Sequence, residues 1–214
     1  MGLYKCRTRG GELLFTRDMN ECENPVLIYS GKELLMISKL MSRILRHEPF
    51  KYDVKIDRHG WASLNELVNA LQSVLGDTMN INKESIIGII ETDPKSRFEY
   101  RHNKVRARYG HSIGIDIRYR GAEPLVLFHG TQINRLNSIL SRGLLPGKRL
   151  YVHLSPTPED ACMVARRRRG IPIYLIIDCT RLRELGYRIY KATSKVFLVE
   201  RVPSSAIQGF QECK

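Results

Sequence analysis

Arg97-Phe98-Glu99-Tyr100-Arg101 and Lys104-Val105-Arg106-Ala107-Arg108-Tyr109 flank His102-Asn103, and Gly110-His111-Ser112 follows. Both flanks alternate in polarity and two turn-forming residues separate them, which is the pattern of a β-hairpin. Alternation places Arg106 and Arg108 on one face of the second strand. Arginine offers a planar fork of donors matched to phosphate, and Gly110 lets the backbone approach a ligand closely. The stretch reads as a place where an anion is held, or else as a basic edge strand that blocks edge-to-edge pairing.

Upstream of the hairpin the chain is helical. Ser30-Gly31-Lys32-Glu33 forms a capping box, and Leu34, Ile37, Leu40, Met41, Ile44 and Leu45 recur behind it at helical spacing. Pro49 stops that helix, so Leu45-Arg46-His47 form its last turn. Cations there suit the helix dipole, which is sufficient reason for Arg46 and His47 when they are taken alone. Asp57-Arg58-His59-Gly60-Trp61 is a turn. Ser63-Leu64-Asn65-Glu66 reads as a second capping box, opening a helix to about Val74 that buries Leu64, Leu67, Val68 and Leu71. Asn82 caps a third helix that ends before Pro94. Three helices and then a hairpin is the order of a winged helix, a fold class that commonly binds nucleic acid. Residues 31–120 are accordingly expected to form a winged-helix-like lobe. Residues 1–30, with Gly10-Gly11 and Pro25, read as an irregular, polar extension, with a short hairpin as the alternative.

The whole chain has 214 residues, enough for one large domain or two small ones. Its net charge of +13 points to polyanionic partners, most simply nucleic acid, and to salt-sensitive binding. No apolar run approaches a membrane span, and Lys5, Arg7, Arg9 and Arg17 interrupt any secretory leader. A soluble, cytoplasmic monomer is expected. The cysteines, Cys6, Cys22, Cys162, Cys179 and Cys213, include no CxxC pair, so a zinc site has little support. Cys162 and Cys179 read as core residues. Cys6 and Cys22 read as free thiols, with a disulfide or half a metal site as the alternatives.

Gly121-Ala122-Glu123-Pro124 reads as a linker into a second, mixed α/β lobe over 121–214. Leu125–Phe128 is an apolar strand ending in His129-Gly130-Thr131, and Tyr151–Ser155 is another, with His153 near its end. Two strands that each deliver a His and a hydroxyl suggest a paired site, although a lone strand His is more often a hydrogen-bonded core residue. Between them a short helix, Asn134 to Ser141, is capped by Gly143. Thr157-Pro158-Glu159-Asp160 opens a further helix, read as running to Arg166-Arg167-Arg168-Arg169 before Gly170. That cluster reads as phosphate recognition or as a solvated basic face. Ile173–Asp178, Tyr187–Tyr190 and Lys195–Val199 are the remaining strands. There is no Walker loop, GxGxxG, GxSxG or HExxH motif.

The whole pattern resembles the NAD-dependent RNA 2′-phosphotransferases, which complete tRNA splicing in some organisms. The matching pieces run in family order from about residue 31 to 208: Ser38-Lys39-Leu40 with Leu45-Arg46-His47-Glu48-Pro49, Asp57-Arg58-His59-Gly60-Trp61, Val105-Arg106-Ala107 with Gly110-His111-Ser112, Phe128-His129-Gly130-Thr131, Val152-His153-Leu154-Ser155, Arg168 with Gly170 and Pro172, and Ser194-Lys195-Val196-Phe197-Leu198. The resemblance implies an α+β protein with a winged-helix-like RNA lobe followed by an ADP-ribosyltransferase-like lobe. It implies transfer of an internal RNA 2′-phosphate to NAD, as co-substrate, giving 2′-OH RNA, nicotinamide and ADP-ribose 1″,2″-cyclic phosphate. The family's catalytic Arg-His-Arg-Arg set falls on Arg46, His47, Arg106 and Arg168. His129, Gly130, Thr131, His153 and Ser155, with His111 and Ser112, match the NAD-binding motifs, and no metal is implied. Tyr109 stands where the family usually has Gln, Arg169 where His is common, and Lys195 and Phe197 replace Gly and Trp. Val196 stands where many ADP-ribosyltransferases carry a catalytic Glu, which suits a substrate phosphate that is already ionised. An enzyme that caps terminal nucleic-acid phosphates with ADP-ribose, and a non-catalytic RNA-binding module, are the competing readings.

Overall fold

In the computed structural model, residues 2–7, 13–21 and 23–214 are described, and they divide into two compact units, 1–117 and 118–214. In the first unit, β1 (Leu3–Arg7), β2 (Leu13–Thr16) and β3 (Glu23–Tyr29) form an antiparallel sheet in the order β2-β1-β3. The N-terminal stretch is therefore more regular than its polarity suggests. It also belongs to the core: Leu3 and Tyr29 are buried in one apolar cluster with the helices, and the Tyr29 hydroxyl donates to the Asn80 carbonyl at 2.7 Å. The Gly10-Gly11 turn and Cys22 lie outside the described residues. Cys6 is disulfide-bonded, contrary to the free thiol expected of it.

Next come α1 (Gly31–Arg46), β4 (Ala62–Ser63), α2 (Leu64–Leu75), α3 (Lys83–Glu91), β5 (Phe98–Arg101) and β6 (Lys104–Ala107). The capping box of α1 is present, with Ser30 and Glu33 satisfying each other's backbone N–H groups. At α2 the expected box is absent. Ser63 makes no side-chain cap bond, and the Glu66 carboxylate, the other half of the box, accepts from the Lys55 backbone N–H at 2.8 Å. His102 and Asn103 both adopt positive φ, 47° and 57°, the backbone of a tight two-residue hairpin turn. The sheet order is β4-β6-β5, and Ile37, Met41, Ile44, Leu67, Leu71, Ile86, Ile89 and Val105 are sealed between helices and sheet. Each such side chain contributes roughly 1.5–3 kcal/mol by leaving water. Strand β6 ends at Ala107, but the Arg108 N–H donates to the Arg97 carbonyl at 2.8 Å, so the hairpin pairing and its alternation run on to Arg108. Arg108 Nε donates to the Phe98 carbonyl at 3.1 Å.

The second unit holds β7 (Arg120–Gly121), β8 (Val126–Gln132), α4 (Leu136–Arg142), β9 (Val152–Leu154), α5 (Pro158–Ala165), β10 (Pro172–Asp178), α6 (Cys179–Glu184), β11 (Tyr190–Thr193), β12 (Val196–Val199) and β13 (Ile207–Glu212). They form two sheets, β13-β10-β8 and β7-β11-β12-β9. Gly121 pairs with Tyr190 and Ala122 N–H donates to the Ile189 carbonyl, so the Gly-Pro stretch read as a linker is partly sheet. His129, Gly130 and Thr131 lie within β8 rather than beyond its end, paired with Leu175, Tyr174 and Ile173. Tyr187–Ile189 precede β11 instead of forming it. Helix α5 stops at Ala165, so the arginine cluster lies in the turn after the helix. Cys162, read as a plain core residue, is bonded to Cys213. That bridge ties α5 to the chain end beyond β13 across 51 residues, and by loop-closure entropy it stabilises the folded state by about 4 kcal/mol. Cys179 is buried and free, its thiol pushed up to about 11, chiefly by burial. Among the described residues no helix is long and apolar enough to cross a membrane.

Candidate functional site

Arg46 ends α1 and is 8% exposed, an unusual burial for an arginine. Its guanidinium lies over the Tyr109 ring, 4.9 Å from the centroid, an arrangement in which the ring quadrupole attracts the cation. The next residue of the loop after β6 also packs against it. Gly110 has φ 89°, and a Cβ there would come within 3.3 Å of Arg46 Nη1. Glycine thus answers two demands at this position, the left-handed backbone and the space that the guanidinium fills.

The same loop seats the next residue. Ser112 N–H donates to the Arg46 carbonyl at 3.0 Å, one of the carbonyls that the end of α1 leaves open. The Ser112 hydroxyl lies 2.8 Å from His47 Nδ1. The imidazole is therefore fixed through one nitrogen while the residue stays exposed. His111, between them, is 3% exposed, and its Nε2 has no hydrogen-bond partner. It is held at about 4, first by burial and then by the charges of Arg46, His47 and Arg106. At neutral pH it is uncharged, and the cations around it keep it so.

Arg106 reaches this group from β6. Its Nε donates to Glu99 Oε2 at 2.9 Å, and Nη2 meets the same oxygen at 2.9 Å. Nη1 donates to the His59 carbonyl at 3.3 Å, and the guanidinium lies 4.4 Å from the Trp61 ring centroid. One edge of the fork is thus occupied and its plane stacked, while each Nη keeps a second N–H. Arg46, His47, Arg106, His111 and Ser112 make one cluster within the first unit, and a multiply charged anion such as a phosphate matches its charge and its donors.

The second unit has a different chemistry. His129 Nδ1 lies 2.9 Å from the His153 carbonyl, and His153 Nδ1 lies 3.0 Å from the Tyr151 carbonyl. A carbonyl only accepts, so both Nδ1 atoms carry the proton. His129 is held below its ordinary value, first by burial, with the charges of Arg149 and Arg168 acting in the same sense and the His153 carbonyl against it. Neutral, it offers Nε2 as an acceptor. Ser155 is buried and exchanges two backbone hydrogen bonds with Phe128. Gly130 has a packing role: a Cβ there would stand 1.9 Å from the Ala161 carbonyl, so α5 lies directly on β8 at this point. Thr131, beside it, is buried. Arg168 is exposed in the turn after α5. Gln132, which nothing in the sequence singled out, braces the start of that turn. Its Nε2 donates to the Ala165 carbonyl at 2.7 Å, and its buried Oε1 has no partner. Among the described residues no three His, Cys, Asp or Glu side chains converge as a metal-ligand set.

The residues singled out in the sequence therefore fall into a group around two arginines in the first unit (Arg46, His47, Arg106, His111, Ser112) and a group of carbonyl-tethered histidines with Arg168 in the second. A model of the "RNA 2′-phosphotransferase, Tpt1 / KptA family" matches residues 32–201. A protein of Pyrobaculum aerophilum named "Probable RNA 2′-phosphotransferase" is 38% identical over 99% of this chain and 97% of its own length. Proteins of the same name from Thermococcus kodakarensis and Pyrococcus horikoshii are each 44% identical, over 80% and 81% of this chain and 94% and 97% of theirs.

Proposed function

We propose, from the premise that this chain belongs to the RNA 2′-phosphotransferase family, that it removes an internal 2′-phosphate from RNA, such as a spliced tRNA, and transfers it to NAD. The products are 2′-OH RNA, nicotinamide and ADP-ribose 1″,2″-cyclic phosphate. The observation that carries the reading is the convergence of Arg46, His47 and Arg106 on the Gly110–Ser112 loop. Two arginines, held by stacking and by hydrogen bonds, await an anion with little side-chain entropy left to lose.

In this reading the first unit takes the RNA phosphate. The remaining N–H groups of Arg106 and the Arg46 guanidinium bind its oxygens and stabilise the charge that develops on phosphorus. His47, fixed by Ser112, directs Nε2 to the phosphate or to the 2′-oxygen, which must receive a proton as the RNA departs. The element order of this unit, with its β4-β6-β5 sheet, supports the winged-helix-like reading. The second unit, read as ADP-ribosyltransferase-like, suits NAD. The neutral Nε2 of His129 is an acceptor for a ribose hydroxyl, and Arg149 and Arg168 lend a positive field. When bound, NAD supplies an electron-poor ribose carbon to receive the phosphate and an adjacent hydroxyl to close onto phosphorus.

The test is incubation with a short RNA carrying one internal 2′-phosphate, with and without NAD, followed by mass analysis of RNA and small molecules. NAD-dependent loss of the phosphate with the cyclic-phosphate product is expected. A stable ADP-ribosylated RNA, or an unchanged RNA in the presence of folded protein, would overturn the reading.

A further inference from the structure

Among the exposed large apolar side chains of the described residues, Phe50 is the most open, at 81%. Scattered surface hydrophobics are ordinary, but the setting of this one is not. It stands on a 3-10 turn, Pro49–Tyr52, directly after His47-Glu48. The turn is fixed: Pro49 is buried, Val54 N–H donates to the Pro49 carbonyl at 3.1 Å, and Tyr52 packs against the core. An aromatic ring is thus held out in water by a rigid backbone.

The helix leading to it carries a stripe of matching character. At about 100° per residue, Lys32, Met36, Lys39 and Arg43 fall within roughly 60° of arc on α1, and Arg46 lies next to that arc. All four are exposed, Met36 at 48%. Arg43 hydrogen-bonds Tyr52, which joins the stripe to the turn that carries Phe50, and Glu48 is the acid that acts on it. Lys51 is exposed beside Phe50. Cations in line, followed by an open aromatic ring, are what a single-stranded nucleic acid requires: a charged track for its backbone and a face on which a base stacks.

We infer that the exposed face of α1, continued by the Phe50 turn, is the track for the single-stranded RNA that flanks the phosphorylated nucleotide, with Phe50 stacking on one base. The inference rests on the RNA reading above and names the surface that reading left open. Lys39 and Arg43 contact backbone phosphates, whereas Phe50 contributes contact without sequence preference, since every base has a π face.

The test uses the full chain and a labelled, unphosphorylated single-stranded RNA of about a dozen nucleotides, titrated by fluorescence anisotropy over a range of salt. Phe50→Ala should weaken binding roughly tenfold, the size of one lost stacking contact, and Phe50→Trp should restore it. The double variant Lys39→Ala/Arg43→Ala should lower the slope of log K against log salt by about 1.4, two phosphate contacts on a single strand. In turnover, Phe50→Ala should raise KM for a 2′-phosphorylated RNA of that length while leaving kcat, and leaving a two-nucleotide substrate, unchanged. Binding and turnover equal to wild type in both variants overturn the inference, whatever enzyme the protein is. A binding defect in a protein that removes no phosphate sustains the RNA track and overturns the proposed reaction instead.

Discussion

The two units hold their functional side chains by different means. In the first, each group that matters is braced: Arg46 by Tyr109 and Gly110, Arg106 by Glu99 and Trp61, His47 by Ser112. In the second, two half-buried imidazoles have Nδ1 tied to carbonyls, and the arginines stand exposed in a turn. The covalent brace of that unit, Cys162–Cys213, acts on α5, six residues upstream of Arg168. Immobilising a cation in advance is worthwhile where charge must be met at fixed geometry, since reorganisation is then spared at the moment of reaction. A neutral acceptor for a sugar hydroxyl calls instead for a chosen tautomer, and one carbonyl suffices to set it.

The largest test sets the arginines against one another. Arg106→Ala should lower turnover of a 2′-phosphorylated RNA by up to about a thousandfold, the upper end of what removal of one transition-state donor costs, with an unchanged circular dichroism spectrum. Arg168→Ala should cost less, on the order of tenfold to a hundredfold, because Arg167 and Arg169 occupy the same exposed turn and can supply charge. Equal losses in single-turnover assays would mean that bracing is not what separates the two arginines.

How much of this was legible depends on range along the chain. The hairpin turn at His102-Asn103 pairs Arg101 with Lys104, and counting outward pairs Glu99 with Arg106. The partner of Arg106 could therefore have been read from register alone, and cross-strand opposite charges are a known unit of sheet stability. Ser112 on His47 is another matter. The two residues lie 65 apart, and no local pattern signals the contact. Gly130 was legible as a glycine but not for its reason, since the Ala161 carbonyl that excludes a Cβ comes from a helix 31 residues on. The arginine cluster was placed on a helix because propensity cannot see that the Gln132 side chain caps the Ala165 carbonyl, where α5 ends. The N-terminal sheet is not legible because its strands are short and separated by polar turns, and Leu3, Phe15 and Tyr29 find their apolar partners in the helices that follow.

Acidification sharpens the comparison from the side of the neutral histidines. His111 is held at about 4 in the folded chain, against 6.5 in a free imidazole, so between those values the unfolded chain binds more protons. Stability contributed at this position is fully present above pH 6.5 and is lost as pH falls toward 4, by as much as about 3 kcal/mol. Denaturant melts of wild type and His111→Asn from pH 7 to 4 should therefore converge on the acid side, with the shallower slope in the variant. His129 is displaced in the same direction, so a His129→Gln variant should also flatten the curve. Parallel slopes in wild type and His111→Asn would show that His111 titrates normally and that the cations of the first unit do not crowd it.

The smallest effect is the most discriminating. If Ser112 serves only by bracing His47, then Ser112→Ala should lower kcat about tenfold, a modest share of what general acid–base assistance supplies, and leave KM for RNA nearly unchanged. The Arg46 carbonyl bond comes from the Ser112 backbone N–H, so the variant keeps Arg46 in place and isolates the imidazole. Loss of the hydroxyl removes the bond that orients His47 Nδ1, and the pH dependence of kcat should shift with it. Ser112→Thr retains the hydroxyl at an exposed position and should restore both rate and profile. A role in holding the co-substrate predicts the reverse split, with KM for NAD raised and the pH profile unmoved. A Ser112→Ala enzyme with that signature would move Ser112 out of the group around Arg46 and show that its hydroxyl is not what positions His47.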